Sequence, residues 1–206
     1  EQNMQSDGSA ASEEDPPKPW ILLLNDFLSD EETDRLIDLG HEIGWAERRD
    51  SPANKREVRH VHSSKMALCD QNSSCEQDAI FQKVMEKIQV LTETPKSHFE
   101  FVELVRYQFG ESRGTHHDFR AHDAWKPAGP RVFTIFLCLS DVEEGGAMGF
   151  PDLDWEFVKL RKGQALLWAN VLDDRNSDLP PTEKHPEMFH EGLPVQKGEL
   201  FGANVW

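Results

Sequence analysis

The 206-residue chain carries 22 basic and 38 acidic side chains, a formal net charge of −16, with 37% hydrophobic residues and three cysteines. This is the length of one ordinary domain with enough apolar mass for a core, so the expectation is a globular protein with a disordered fringe. The charge repels phosphate backbones and anionic lipid, and no run reaches the ~18–20 apolar residues of a membrane span, which excludes nucleic acid and membrane contact and favours a neutral or basic partner.

Residues 1–17 hold five acids and no base among Ser, Gly and a Pro pair, the composition of a disordered acidic linker. The chain begins at Glu1, and any signal or anchor segment ahead of it is expected to have been removed. Trp20 to Leu24 reads as a strand. Ser29-Asp30-Glu31-Glu32 is a capping box that opens a helix through about Ile43. A second helix is expected from about Gln77 to Leu91, with Ile80, Phe81, Val84, Ile88 and Leu91 at helical spacing. After Pro95 the texture changes to short strands: Phe99 to Tyr107, Val132 to Leu139, Phe157 to Leu160, Ala165 to Trp168, Leu193 to Val195 and Leu200 to Trp206. Glycines and prolines punctuate them. The fold class is therefore mainly β with supporting helices (α+β), in one domain over residues 18–206. Helical support spans about 29–95 and a sandwich or barrel core about 99–206.

Cys69 and Cys75 bracket a polar loop that can close on itself, and Cys138 sits inside an apolar run. They read as a local disulfide and a buried free thiol. The loop also carries Asn72-Ser73-Ser74, an N-glycosylation sequon, and together these point to the secretory pathway, in the endoplasmic reticulum or Golgi lumen.

The densest cluster of metal-capable side chains is His116-His117-Asp118, followed by His122-Asp123. In an extended segment residues i and i+2 share a face, so His116 and Asp118 reach one cavity while His117 points away. Two imidazoles and one carboxylate make a facial triad that suits non-haem Fe(II) and oxygen chemistry, and a distant strand must supply the second histidine. His190, just ahead of the strand expected from Leu193, is the first candidate. His185, expected in a surface loop, is the second.

From Glu100 to Trp206 the chain resembles the catalytic domain of the prolyl 4-hydroxylases, members of the Fe(II)/2-oxoglutarate dioxygenase superfamily. The resemblance is carried by Tyr107-Gln108-Phe109-Gly110 ahead of the H-x-D, by Arg131-Val132-Phe133-Thr134, by Leu139 to Ala147 with Phe150-Pro151, and by Lys162 to Ala165 with Trp168. His190, Pro194-Val195, Gly198 and Asn204-Val205-Trp206 complete it. It implies a double-stranded β-helix (jelly-roll, cupin-like) core in which His116, Asp118 and His190 hold iron. It also implies 2-oxoglutarate and O2 as co-substrates, with ascorbate admitted as an accessory, and a proline-containing peptide or protein as the partner. Tyr107 and Thr134 match the helpers that bind the far carboxylate of 2-oxoglutarate, and Arg113 stands at the family's second tyrosine near the cavity mouth. Trp125, in the loop Phe119 to Gly129 that would border the substrate groove, is placed to stack on a proline ring.

Two positions depart. The family's carboxylate-anchoring lysine lies ten residues after the distal histidine, where this chain has Leu200, and its central-strand tyrosine is Cys138 here. Arg113, Arg131 and Lys197 are the candidate replacement cations. Two readings follow: an active dioxygenase that hydroxylates peptidyl proline, or a non-catalytic or altered-co-substrate metal- or peptide-binding module that keeps the fold.

Overall fold

The computed structural model describes residues 19–48, 64–70, 73–123, 125–126, 128–153, 157–172 and 183–206. The acidic linker and the sequon residue Asn72 lie outside them.

Strand β1 (Ile21–Leu24) leads into helix α1 (Asp30–Ile43), which starts as its sequence predicts. The Glu32 amide donates to the Ser29 hydroxyl at 3.3 Å, and the Ser29 amide donates to the Glu32 carboxylate at 2.9 Å, so each satisfies one open end of the other. Glu32 is buried, and Lys87 of the second helix pairs with it at 2.6 Å, which ties the two helices together. That helix, α2 (Ala79–Thr92), begins two residues later than the expected start near Gln77. Asp78 caps it by accepting from the Ile80 and Phe81 amides, and Gln77 belongs to a preceding 3-10 turn, Ser74–Gln77. Between the helices lie β2 (Ala46–Glu47) and β3 (Lys65–Cys69). The second half of the chain supplies β4 (Val102–Tyr107), β5 (Arg113–His116), β6 (Phe133–Cys138), β7 (Glu144–Gly145), β8 (Met148–Gly149), β9 (Ala165–Ala169), β10 (His190–Gly192), β11 (Val195–Lys197) and β12 (Leu200–Val205).

These form a seven-stranded antiparallel sheet in the order β1-β9-β6-β12-β4-β3-β2, a three-stranded sheet β5-β10-β8 and a two-stranded pair β11-β7. The central strands of the large sheet are buried on both faces, so they read as unbroken apolar runs rather than alternating ones. Leu104, Ile135, Leu137 and Val205 pack outward against Leu36, Leu39, Phe81 and Ile88 of the helices. Val105, Phe136, Leu166 and Leu200 face inward to Val195 of β11 and to Phe150 and Met188 beside β8 and β10. Each such side chain contributes about 1.5–3 kcal/mol by leaving water. The result is the expected jelly-roll, with the helices bracing one face and a cavity between the sheets.

The strand expected at Phe157 to Leu160 is reduced to one bridge between Val158 and Met148. His190 lies inside a strand, not ahead of one. Glycine is required at position 145, where φ is +77° and a Cβ would sit 2.2 Å from the Pro194 carbonyl. This lets β7 close against β11. Cys69, at the end of β3, is disulfide-bonded to Cys75 in the 3-10 turn, with Cα atoms 5.4 Å apart. Cys138 is a buried free thiol, and burial pushes its pKa up to about 12.

Candidate active site

The register of the smaller sheet sets the geometry: His116, last in β5, pairs directly with His190, first in β10. Asp118 lies one residue past the neighbour of His116 and turns its carboxylate to both rings. His116 Nε2 is 3.6 Å from Asp118 Oδ1, and His190 Nε2 is 3.5 Å from Asp118 Oδ2. One donor atom from each of the three lies within 4.8 Å of the others.

The tautomers are set by the backbone. His116 Nδ1–H donates to the Gly114 carbonyl at 2.8 Å and His190 Nδ1–H to the Met188 carbonyl at 3.1 Å, leaving both Nε2 lone pairs aimed at one point. The carboxylate is equally constrained: Asp118 Oδ2 accepts from the Thr134 hydroxyl at 2.7 Å and from Trp206 Nε1 at 2.9 Å. Thr134 in turn accepts from Asn170 Nδ2 at 2.8 Å. Burial lowers the His116 pKa to about 3. Burial would raise Asp118, but the surrounding groups, the His190 ring foremost, hold the carboxyl well below its ordinary range. A neutral imidazole beside an ionised carboxylate is the protonation pattern that a divalent cation requires. The donor set therefore fits Fe(II), and His116, Asp118 and His190 would hold it.

The triad opens into a cavity between the sheets. Tyr107, Phe136, Cys138, Leu160 and Leu200 make one apolar wall, and Arg48, Arg113, Glu191 and Asn204 bring polar groups to it. Trp168 also lines it, and its buried Nε1–H has no acceptor among the described residues. A buried donor of this kind suits a polar occupant.

The structure brings Tyr107 and Arg113 to the cavity with the triad, and the Arg113 Nε–H points to His116 Nε2 at 3.4 Å. Thr134 does not line it: its hydroxyl is committed to Asp118 and Asn170, so it positions the carboxylate instead of meeting a co-substrate. Trp125 is 78% exposed. Arg131 and Lys197 are committed elsewhere. Arg131 forks onto Glu100 at 2.9 and 3.0 Å and stacks 3.6 Å over the Trp206 ring, while Lys197 pairs with Glu143 on the surface. His185, expected in a surface loop, is buried, and its carbonyl accepts from His117 Nε2–H at 3.0 Å. That bond gives His117 a role in holding the loop ahead of His190. The positions of Arg48, Asn170 and Trp206 around the site carry no signal of their role in the sequence, because each stands just past the end of a strand remote from the H-x-D.

No model of a known protein family matches the chain. Among curated proteins, prolyl 4-hydroxylase 2 of Arabidopsis thaliana is 30% identical over 213 residues, covering 92% of this chain and 67% of that protein. The chain belongs to the prolyl 4-hydroxylase family. The alpha-1 subunit of prolyl 4-hydroxylase from Gallus gallus is 28% identical over 97% of this chain and 37% of its own length. Among solved structures, the viral collagen prolyl hydroxylase of Paramecium bursaria chlorella virus 1, crystallised as its 2OG complex, superposes with a TM-score of 0.64 at 25% identity. The match covers 90% of this chain and 94% of that one. Within a prolyl 4-hydroxylase site, the polar atoms around this chain's triad and the orphaned indole of Trp168 fit a metal together with a small polar acid.

Proposed function

We propose that the chain is an Fe(II)- and 2-oxoglutarate-dependent dioxygenase that hydroxylates proline in a peptide or protein. The observation that carries this is the convergence of two Nε2 lone pairs and an ionised carboxylate on the wall of a cavity, with every second nitrogen already bonded to backbone. When bound, iron and 2-oxoglutarate supply the oxidising power that turns O2 against a substrate C–H bond. The protein's own contribution is positional. Gly114 and Met188 carbonyls orient the rings, and Thr134 and Trp206 hold one carboxylate oxygen so that Asp118 cannot swing away. Phe136, Leu160 and Leu200 line the wall and keep water from the reacting centre.

The test is 2-oxoglutarate decarboxylation by Fe(II)-loaded protein, with and without a proline-rich peptide. Peptide-stimulated turnover that Asp118→Ala abolishes is the expected result. Iron held without any turnover would favour the non-catalytic binding module instead.

The compartment we propose is the secretory pathway, in the endoplasmic reticulum or Golgi lumen. The Cys69–Cys75 disulfide supports an oxidising environment, and the Asn72 sequon supports glycosylation there. Among the described residues no helix is long and apolar enough to cross a membrane.

A further inference from the structure

2-Oxoglutarate is a dicarboxylate. With its 2-oxo acid end at the metal, its second carboxylate lies three carbon–carbon bonds farther along, inside the cavity, and an unpaired charge taken out of water is strongly penalised. The wall at β12 offers no cation, since Leu200 is buried there and the neighbouring Cys138 is a protonated thiol. Among the described residues, Arg48 and Arg113 are the cations that line the cavity. Arg113 stands at the wrong end: its Nε lies 3.4 Å from His116 Nε2, beside the metal position.

Arg48 approaches from the opposite edge. Its amide donates to the Ser64 carbonyl at 2.9 Å, one step beyond the Glu47–Lys65 pair, while Lys65 faces Arg106 and Tyr107 faces Leu200. Arg48, Tyr107 and Leu200 thus stand in one row across the inner face of the large sheet. The guanidinium is nearly buried and held by Glu103, whose Oε1 lies 3.0 Å from Nη1, and Glu103 Oε2 accepts from Asn204 Nδ2 at 3.1 Å. A guanidinium has five N–H donors in a planar fork, so a contact with Glu103 is compatible with a second carboxylate. The positive charge of Arg48 also reaches His116, where it helps to hold the imidazole neutral.

We infer that Arg48 receives the distal carboxylate of the bound 2-oxo acid, replacing from an edge strand the charge that Leu200 does not provide. This rests on 2-oxoglutarate being the co-substrate, as proposed above. The geometry explains how a prolyl 4-hydroxylase keeps its co-substrate with a leucine at that position: the cation has moved along the row, not vanished.

The experiment compares two ligands by calorimetry on Mn(II)-loaded protein: 2-oxoglutarate, and 2-oxobutyrate, which has the same chelating end and no second carboxylate. Wild type is expected to prefer 2-oxoglutarate. Arg48→Gln should weaken 2-oxoglutarate by about ten- to a hundredfold and leave 2-oxobutyrate unchanged, with Arg48→Lys in between. Because Arg48→Gln strands Glu103, the double variant Arg48→Gln/Glu103→Gln serves as the folding control: its melting temperature should return towards wild type while 2-oxoglutarate stays weak. Undiminished 2-oxoglutarate affinity in Arg48→Gln, or loss of the preference only in Arg113→Gln, overturns the inference and leaves the proposed function standing. Wild type that holds Mn(II) but binds neither acid overturns both.

Discussion

The Thr134 hydroxyl donates to Asp118 Oδ2 at 2.7 Å while accepting from Asn170, so a residue of the central strand sets the direction of the metal-binding carboxylate. Thr134→Val keeps the side-chain shape and removes the donor. Mn(II) affinity is expected to fall about 10- to 100-fold, with about 1–3 kcal/mol lost in stability because Asn170 is left without an acceptor. Calorimetry and thermal melting read the two effects separately. Unchanged metal affinity would show that Trp206 alone is sufficient to hold the carboxylate.

The triad itself divides from its neighbour. Asp118→Ala and His190→Ala should abolish stoichiometric Fe(II) or Mn(II) binding. His117→Ala should keep the stoichiometry, since its Nδ1 accepts from the Phe119 amide and its Nε2–H donates to the His185 carbonyl. Its expected loss is about 1–3 kcal/mol in stability, from the loss of both hydrogen bonds.

Arg131 is a structural residue of the same site. It is bidentate to Glu100, both nearly buried, and it stacks on the Trp206 ring whose Nε1 reaches Asp118. Arg131→Met should cost about 3–5 kcal/mol by leaving a buried carboxylate unpaired, and should loosen metal binding through Trp206. Arg131→Lys should recover only part of the stability, because an ammonium supplies neither the fork nor the flat stack. Denaturant unfolding of the metal-free variants measures it.

Acid should destabilise the metal-free protein before its carboxylates titrate. Burial lowers His116 to about 3, and burial lowers His117 to about 4 against the opposing bond to His185, both from an ordinary 6.5. As pH falls through 6.5 the unfolded chain takes up these protons and the native chain does not, so stability declines from there until the native histidines titrate near 4 and 3. The denaturation midpoint should fall between pH 7.5 and 5, and the slope should be shallower in His117→Gln. A flat profile over this range would contradict the buried neutral assignment.

The three cysteines should separate by chemistry. Native protein under non-reducing conditions is expected to take no alkylation, since Cys138 is buried with a pKa of about 12, and to take one label after unfolding without reductant. Reduction should expose two more. It should cost about 2 kcal/mol on the loop-closure model, given a sequence separation of only 6. Intact mass spectrometry counts the labels.

Much of this protein is legible in local sequence. The capping box at Ser29, the apolar runs of the central strands and the i, i+2 pair His116 and Asp118 are short-range patterns, so their consequences follow without knowledge of the rest of the chain. The start of α2 is set by Asp78, a cap that binds two amides, while Gln77 closes the preceding 3-10 turn, a division that the apolar spacing from Ile80 does not mark. Short strands such as β2, β5, β7 and β8 left no period to read.

The longer elements, the family resemblance and the residue types at the metal follow from neighbours along the chain. Their use is set by tertiary contacts. They took Thr134 away from the co-substrate and gave it to Asp118, buried His185, bound Arg131 to Glu100, and brought Arg48 across the sheet into the row of Tyr107 and Leu200. These are contacts between strands far apart in sequence, set by sheet order and register. A hydroxyl or guanidinium acquires its role from the partner that burial forces upon it, and no local pattern encodes that partner.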